Sequence, residues 1–363
     1  MKVTILQENL LPKLSAVSRF ASSRAALPVL ENILLTAERG VLTLSATDLD
    51  TGVRTSVGAK VERGGSTTVP ARLLVGLIGN LPPGRLILSS QKDILTVEAE
   101  DFASKINGLS SEEFPAFVEE GKKAFAIDAK TFREAITQVS FAAAQDESRP
   151  ILTGLLLRLD GGILTLVGVD GFRLAEKRIK IEGTDMSVVV PSRSFAEVSK
   201  LMSGEVEVLQ SEGGQLIFKS EDFTVFAQAL EGEFPEYEQI IPSNFETKIT
   251  FSKDELSKAV QLTSIFSEVG TGIISLDYDP KGKKLEASSQ ESESGEARQM
   301  VAISGEGKRG TISFNSRYLT DALNALGSEE IVLSLNSSVD PVLFSVPKDK
   351  TYIHVVMPVR LQG

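Results

Sequence analysis

The chain has no cysteine, no tryptophan and a single histidine, His354, among its 363 residues. Without cysteine there are no disulfides and no thiolate zinc sites, which fits a reducing cytoplasm. One histidine leaves little for His-rich metal centres or His-based acid/base catalysis. Long apolar runs are missing too. No stretch approaches the length that spans a bilayer, and Met1-Lys2-Val3-Thr4-Ile5 alternates and soon meets Glu8, unlike a signal peptide. These absences predict a cytoplasmic protein without a membrane segment, metal or cofactor. Positive charge is also short: 38 Lys and Arg face 49 Asp and Glu, for a net charge of −11. That average argues against nucleic acid, whose phosphates need Lys and Arg, unless the cations are gathered in one place.

What the chain does have is a repeat. Apolar residues make up 42% of a sequence too long for one ordinary core, so two or three domains are expected. The run from Ile5 to Val17 resembles those beginning at Ile127 and Phe251: an apolar strand end, a polar turn, then apolar residues at helical spacing. A second marker recurs as Val69-Pro70-Ala71-Arg72, Val190-Pro191-Ser192-Arg193 and Phe314-Asn315-Ser316-Arg317, each opening another helix. Steps of 122 and 124 residues separate the first set, and 121 and 124 the second. Two markers thus keep nearly one period. Glu113-Phe114-Pro115 and Glu233-Phe234-Pro235 close the first two copies, with linkers near 115–123 and 238–246. The expected domains are 1–120, 121–245 and 246–363. Each is α+β, with two short helices on antiparallel sheets of about eight strands; alternation marks the strands from Val41, Ile163 and Ile331, and Gly161-Gly162 marks a hairpin.

The helices are expected near 8–20, 71–81, 129–144, 192–202, 253–266 and 316–326. They hold ten bases and six acids, a net +4, which leaves −15 for the rest of the chain. A single helix of mixed charge is an ordinary solvated face. Six helices in three matched copies, basic when taken together, point instead at a shared anionic partner, with Arg72, Arg193, Lys200 and Arg317 as candidate phosphate contacts. No aromatic-rich basic groove suits single strands, and no helix packs base-reading side chains beside a basic cluster, so sequence-neutral contact with a duplex backbone remains. At about 8–10 Å between neighbouring axes, six helices make a circle roughly 15–19 Å across, too small for a duplex about 20 Å wide. Twelve leave a bore of roughly 20–28 Å after subtracting a helix radius of about 5 Å on each side. A closed head-to-tail dimer follows, first copy against third.

The threefold repeat, Ser148-Arg149-Pro150-Ile151-Leu152-Thr153-Gly154, Asp170-Gly171-Phe172-Arg173-Leu174 and the terminal run from Val355 to Leu361 together resemble the bacterial DNA polymerase III beta subunits, the beta sliding clamps, over the whole chain. The resemblance implies a non-enzymatic processivity factor. As a homodimer it encircles double-stranded DNA and tethers the polymerase III catalytic subunit, the clamp loader, translesion polymerases, mismatch-repair proteins and DNA ligase through short peptide motifs. It carries the peptide pocket onto Leu152, Val169, Gly171, Phe172, Arg173, Leu174, Pro235, Gln239 and Ile240, and onto Asn315, Tyr318, Val339, Pro341, Val355, Val356, Met357, Pro358, Val359 and Arg360. The apolar members suit a cleft in which Met357 adapts to varied side chains, and Arg173 and Arg360 are expected to grip a carboxylate or carbonyl at the rim. The resemblance adds Arg24 and Arg149 as DNA contacts, and Lys105 and Ile106 against Ile265 and Phe266 as the dimer interface. Gln239 stands where relatives often have a base, Val169 where a Thr is common, and Pro150 and Ile151 where some carry aromatics.

A carboxylate enzyme is the rival class, with Asp48, Asp50 and Asp170 near turns. No Walker A, HExxH or Gly-x-Ser-x-Gly motif supports it. A repeat adaptor that binds only proteins would not need basic helices.

Overall fold

The structure is a computed structural model that describes residues 1–22, 27–267, 272–289 and 295–360. Six α-helices occur among the described residues: α1 (Gln7–Ser18), α2 (Ala71–Asn80), α3 (Ala129–Ser140), α4 (Ser192–Leu201), α5 (Lys253–Ser267) and α6 (Ser316–Ala325). Each begins at the residue that follows a strand. Twenty-five strands accompany them among the described residues: nine from Lys2–Leu6 to Phe102–Asn107, eight from Lys122–Asp128 to Phe223–Ala227, and eight from Thr247–Ser252 onward.

The marker at the second helix of each copy has a local cause. Pro70 ends a strand at φ −54° and ψ 121°, so the helix starts at Ala71; the proline sits at the N-cap and not inside the first turn. In the third copy the Asn315 side chain accepts from the Arg317 N–H at 2.9 Å and caps α6 directly. The structure ends α3 at Ser140, earlier than its apolar pattern suggests, because the amides of Ala142 (to Val139 O) and Ala143 (to Ser140 O) turn back three residues instead of four. Gly161 and Gly162 both take positive φ (54° and 79°) in the two-residue hairpin that pairs Asp160 with Ile163.

The fold divides into two compact units, Met1–Arg133 with Glu182–Thr184 and Arg193–Ala229, and Glu134–Ile181 with Asp185–Ser192 and Leu230–Gly363. The division cuts through the middle repeat, because the sheets run on past the repeat boundaries. In the first unit, Thr51–Gly58 of the first copy pairs with Phe223–Ala227 of the second, Thr55 against Phe223 and Thr51 against Ala227. In the second unit, Arg173–Lys180 of the second copy pairs with Tyr352–Val356 of the third, Lys177 against Tyr352 and Arg173 against Val356. Hydrogen bonds thus carry the sheet from one repeat into the next, twice and in the same way.

Within the first unit, Leu10, Leu14 and Val17 of α1 and Leu74 and Ile78 of α2 are buried, and the Gln7 side chain donates to Ile78 O at 2.9 Å and Leu81 O at 3.2 Å, closing the end of α2. In the second unit, α5 and α6 bury Leu256, Ala259, Val260, Leu319 and Leu323 in the same manner. No helix among the described residues is long and apolar enough to cross a membrane.

Candidate functional site

All the residues named for the peptide pocket lie in the second unit. Its floor is one apolar cluster of Leu152, Leu156, Val167, Val169, Leu174, Val189, Tyr237 and Val355. Three elements position it. Leu152 sits on the short turn Pro150–Thr153, whose carbonyl at Leu152 accepts from the Ala144 N–H at 2.8 Å. Val169 and Leu174 face each other across the hairpin at Asp170-Gly171. Val355 comes from the strand pairing that joins the second and third copies. The hairpin needs Gly171, whose φ is +89°, and Asp170 Oδ1 fixes it by accepting from the Phe172 and Arg173 amides at 2.8 and 2.9 Å.

The turn holds Phe172 out: it is 61% exposed, and its ring stacks 6.4 Å from Tyr318. Ile240 and Val339 are exposed as well. After Val356, which is buried, the chain leaves the sheet. Met357 donates its N–H to Phe172 O at 2.8 Å, and Val359 donates to Ser313 O at 2.7 Å. Past this strap lies a groove of about 390 Å³ lined by Ile312, Ser313, Val339, Val359 and Arg360, among others. Met357, Pro358 and Val359 are half-buried and Arg360 is exposed. Pro341 is half-buried, and Pro235 and Gln239 are exposed, Gln239 donating to the Glu236 carboxylate. Asn315, capping α6, is committed to the helix.

Arg173 departs from its expected place at the rim. It is 8% exposed, and its donors point inward: Nε to Asp170 at 2.9 Å, Nη2 to Phe141 O at 2.6 Å, and Nη1 to Asp321. Its guanidinium also lies 4.4 Å from the Tyr318 ring centroid. It is a buried strut that holds Tyr318 and the hairpin, with each of its three nitrogens bonded within the protein. Sequence reasoning missed Asp321 and Phe141, which lie 148 and 32 residues from Arg173 with no shared motif. It also missed Tyr237, 1% exposed, whose hydroxyl accepts from Arg158 at 3.0 Å. Glu233-Phe234-Pro235 was a signal for it, but it reads as a domain end.

Behind the floor, His354 is completely buried. The Tyr352 hydroxyl donates to Gln138 O at 3.0 Å and lies 3.3 Å from His354 Nδ1, so Nδ1 carries the proton and donates to the phenol oxygen. Nε2 has no hydrogen-bond partner among the described residues. Burial, with the Arg173 charge, pushes the imidazole pKa down from 6.5 to about 3. Between these values the unfolded chain binds the extra proton. This group's stability contribution is therefore complete above pH 6.5 and is lost as pH falls toward 3, by about 1.4 kcal/mol per pH unit. Because His354 is the only histidine, its ring resonances are directly identifiable. They should stay unshifted from pH 8 to 5, and a midpoint near 6 would contradict the burial argument.

The predicted DNA contacts are exposed where they are described. Arg24 lies outside the described residues. Arg149 is exposed just before the turn Pro150–Thr153. Arg72, Arg193 and Arg317 are each the second residue of their helices, and none of those helices has an acid in its first turn. Arg193 pairs with Asp50, and Lys200 with Glu197 at 2.7 Å. With the observed helix bounds Arg19 falls outside α1. The six helices then hold nine bases and six acids, +3 in a chain of −11.

For the interface, Lys105 and Ile265 are exposed and Phe266 half-buried, but Ile106 is 2% exposed. Strand alternation turns Ile106 into its own core opposite Leu95, so its side chain offers no interface area, contrary to expectation. The carboxylates of the rival enzyme reading have structural tasks. Asp48 Oδ1 accepts from the Asp50 and Thr51 amides at 3.1 and 2.7 Å, Asp50 pairs with Arg193, and Asp170 holds Arg173. No metal-holding group of three His, Cys, Asp or Glu occurs among the described residues.

Comparison with known proteins agrees with this architecture. Residues 1–118, 126–236 and 238–360 match the N-terminal, central and C-terminal domain profiles of the DNA polymerase III beta subunit. The beta sliding clamp of Synechocystis sp. is 31% identical over 99% of this chain and 100% of its own length. The crystal structure of the DNA polymerase III subunit beta from Pseudomonas aeruginosa superposes with a TM-score of 0.93 at 30% identity, covering 99% of this chain and 100% of that one. The DNA polymerase sliding clamp from Bacillus subtilis gives a TM-score of 0.96 at 26% identity, with both chains fully covered. Three α+β clamp domains, matched end to end, place the chain in the DNA polymerase III beta subunit family, whose function is that of a DNA sliding clamp.

Proposed function

We propose that two copies close head to tail around duplex DNA, each divided into domains 1–120, 121–245 and 246–363. The observation that carries this reading is a pair of unmatched strand edges. The last strands of the second and third copies, Phe223–Ala227 and Tyr352–Val356, each open with an aromatic residue and each pair with the preceding copy. The equivalent in the first copy, Phe102–Asn107, also opens with an aromatic, yet it ends its sheet. Its natural partner is the third copy's Arg298–Glu306 together with the residues leading into it. There, positions 298–302 have a neighbouring strand, Lys284–Ser289, on one side, and Met300 is 48% exposed. Two open edges of the kind that the chain twice joins internally would join between copies.

The internal seams also give the register. Val41, Ile163 and Lys284 open equivalent strands, and face Gly58, Lys180 and Ala302. Carrying the seam pairs Thr55–Phe223 and Lys177–Tyr352 onto this frame sets Phe102 against Gln299 of the other copy, and Lys105 against Glu296. Lys105→Glu is expected to raise the dimer dissociation constant about tenfold or more by setting like charges together, and adding Glu296→Lys should recover part of the loss. Sedimentation across a concentration series reads this out; an unchanged constant in both variants would rule out the register.

The arginines support the DNA side. A cation in the first turn opposes the helix dipole by about 0.3–1 kcal/mol. Three copies carry one there, and phosphates beside those turns would offset the penalty. Arg72, Arg193, Arg317, Lys200, Arg149 and Arg24 would make backbone contacts without sequence preference, weakened by salt. The apolar cluster with exposed Phe172 and Ile240 at its mouth is proposed to take short motifs of the polymerase III catalytic subunit, the clamp loader, translesion polymerases, mismatch-repair proteins and DNA ligase, with no catalytic step by this chain. The cytoplasm is the proposed location.

A further inference from the structure

The wall of the pocket formed by residues 230–241 has an uneven charge. No Lys or Arg occurs between Lys219 and Lys248, while Glu231, Glu233, Glu236 and Glu238 follow in quick succession. All four are exposed. Arg158 neutralises Glu238 at 2.8 Å, and Glu236 accepts from the uncharged Gln239. Among the described residues, Glu231, Glu233 and Glu236 have no Lys or Arg partner. The segment is not a distant tail. Leu230, Phe234 and Ile241 pack against the floor cluster, and Tyr237 belongs to it. A side-chain atom at Gly232 would lie 3.7 Å from Ile151, which borders Leu152. The carboxylates are therefore carried on a segment that packs against the pocket floor and that also exposes Ile240. Arg360, which lines the neighbouring groove, is exposed, whereas Arg173 is buried.

We infer that this pocket selects linear peptides whose apolar anchor is flanked by Lys or Arg, with Glu231, Glu233 and Glu236 as the specificity-determining residues. The inference rests on the peptide-pocket reading above and deepens it. The apolar floor supplies affinity without regard to charge, while the three carboxylates raise the local concentration of cationic flanks and penalise acidic ones. Gln239 fits this reading, because a base at that position would stand among the carboxylates and blunt the preference.

The test uses the full chain and three synthetic ten-residue peptides that share one Leu-Phe anchor and carry neutral, Lys-Lys or Glu-Glu flanks. Fluorescence anisotropy at low and at high salt gives the affinities. Exposed pairs contribute modestly one by one, so the Lys-flanked peptide should bind about fivefold to twentyfold more tightly than the Glu-flanked one at low salt. Salt should shrink that ratio. In the Glu231→Gln, Glu233→Gln, Glu236→Gln variant it should fall close to one. Equal affinities in the unaltered protein, with all three peptides bound, would overturn the charge selection and leave the pocket standing. A preference that survives the triple substitution would assign selection to other residues and also overturn the inference. Failure of every peptide to bind would sink the pocket reading and this inference with it.

Discussion

A chain ending at Val356 is expected to capture partner peptides about a hundredfold or more weakly while still forming dimers. The size of the effect follows from what residues 357–363 supply. Met357 and Pro358 lie two and three residues beyond Val355, which sits in the floor cluster, and Val359 and Arg360 line the neighbouring groove. Apolar anchors at the centre of a small interface carry most of its binding energy, and the cut removes one side of the cleft. The fold should tolerate it. Beyond Val356 the described tail holds to the body by two main-chain hydrogen bonds, Met357 to Phe172 and Val359 to Ser313. The edges assigned to dimer closure lie elsewhere in the sequence. Peptide titration beside sedimentation distinguishes the outcomes. Undiminished peptide affinity would remove the tail from the site, and loss of both activities would mean the tail is structural.

The second large effect is expected at Arg173. Substituting Ala leaves Asp170, 11% exposed, without its cation, and strands the Phe141 carbonyl. Removing one member of a buried ion pair costs about 3–5 kcal/mol. The lower figure applies here, because Asp321 is 37% exposed and water screens it. The damage should be local first: faster amide exchange along Arg173–Lys180 and its partner Tyr352–Val356, with peptide binding lost as Tyr318 is released. Arg360→Ala removes an exposed cation and should leave stability within about 0.5 kcal/mol. If the two variants are equally stable, Arg173 is not the strut described above.

Much of this was legible in the sequence because its signals are local and repeated. The step from strand into helix at Pro70-Ala71, Pro191-Ser192 and Asn315-Ser316 announced three helices to within a residue or two, and the hairpins at Gly161-Gly162 and Asp170-Gly171 need their glycines. The floor residues Leu152, Val169, Leu174 and Val355 were found through family resemblance, and the fold then gathers them into one cluster. What stayed hidden depends on partners far apart in the chain. Arg173 looked like a rim cation because nothing near it in sequence names Asp321. Ile106 looked like interface because exposure on a short edge strand follows from which face meets the core, and a motif does not record that. Tyr237 and the carboxylates before it lie in sequence between a domain end at Glu233-Phe234-Pro235 and a linker near 238–246, and the packing of this segment on the cluster that Ile151 borders arises only in three dimensions.

Underlying the proposed function is topological attachment: a ring of two chains that would be held on DNA because it is closed. Retention on nicked circular DNA compared with the same DNA linearised, after loading and at salt high enough to weaken phosphate contacts, tests that most directly. The protein should remain on the circle and be lost from the linear form within the time it takes to slide to an end. Equal retention on the two, or equal loss from both as salt rises, would show ordinary adhesion and contradict closure.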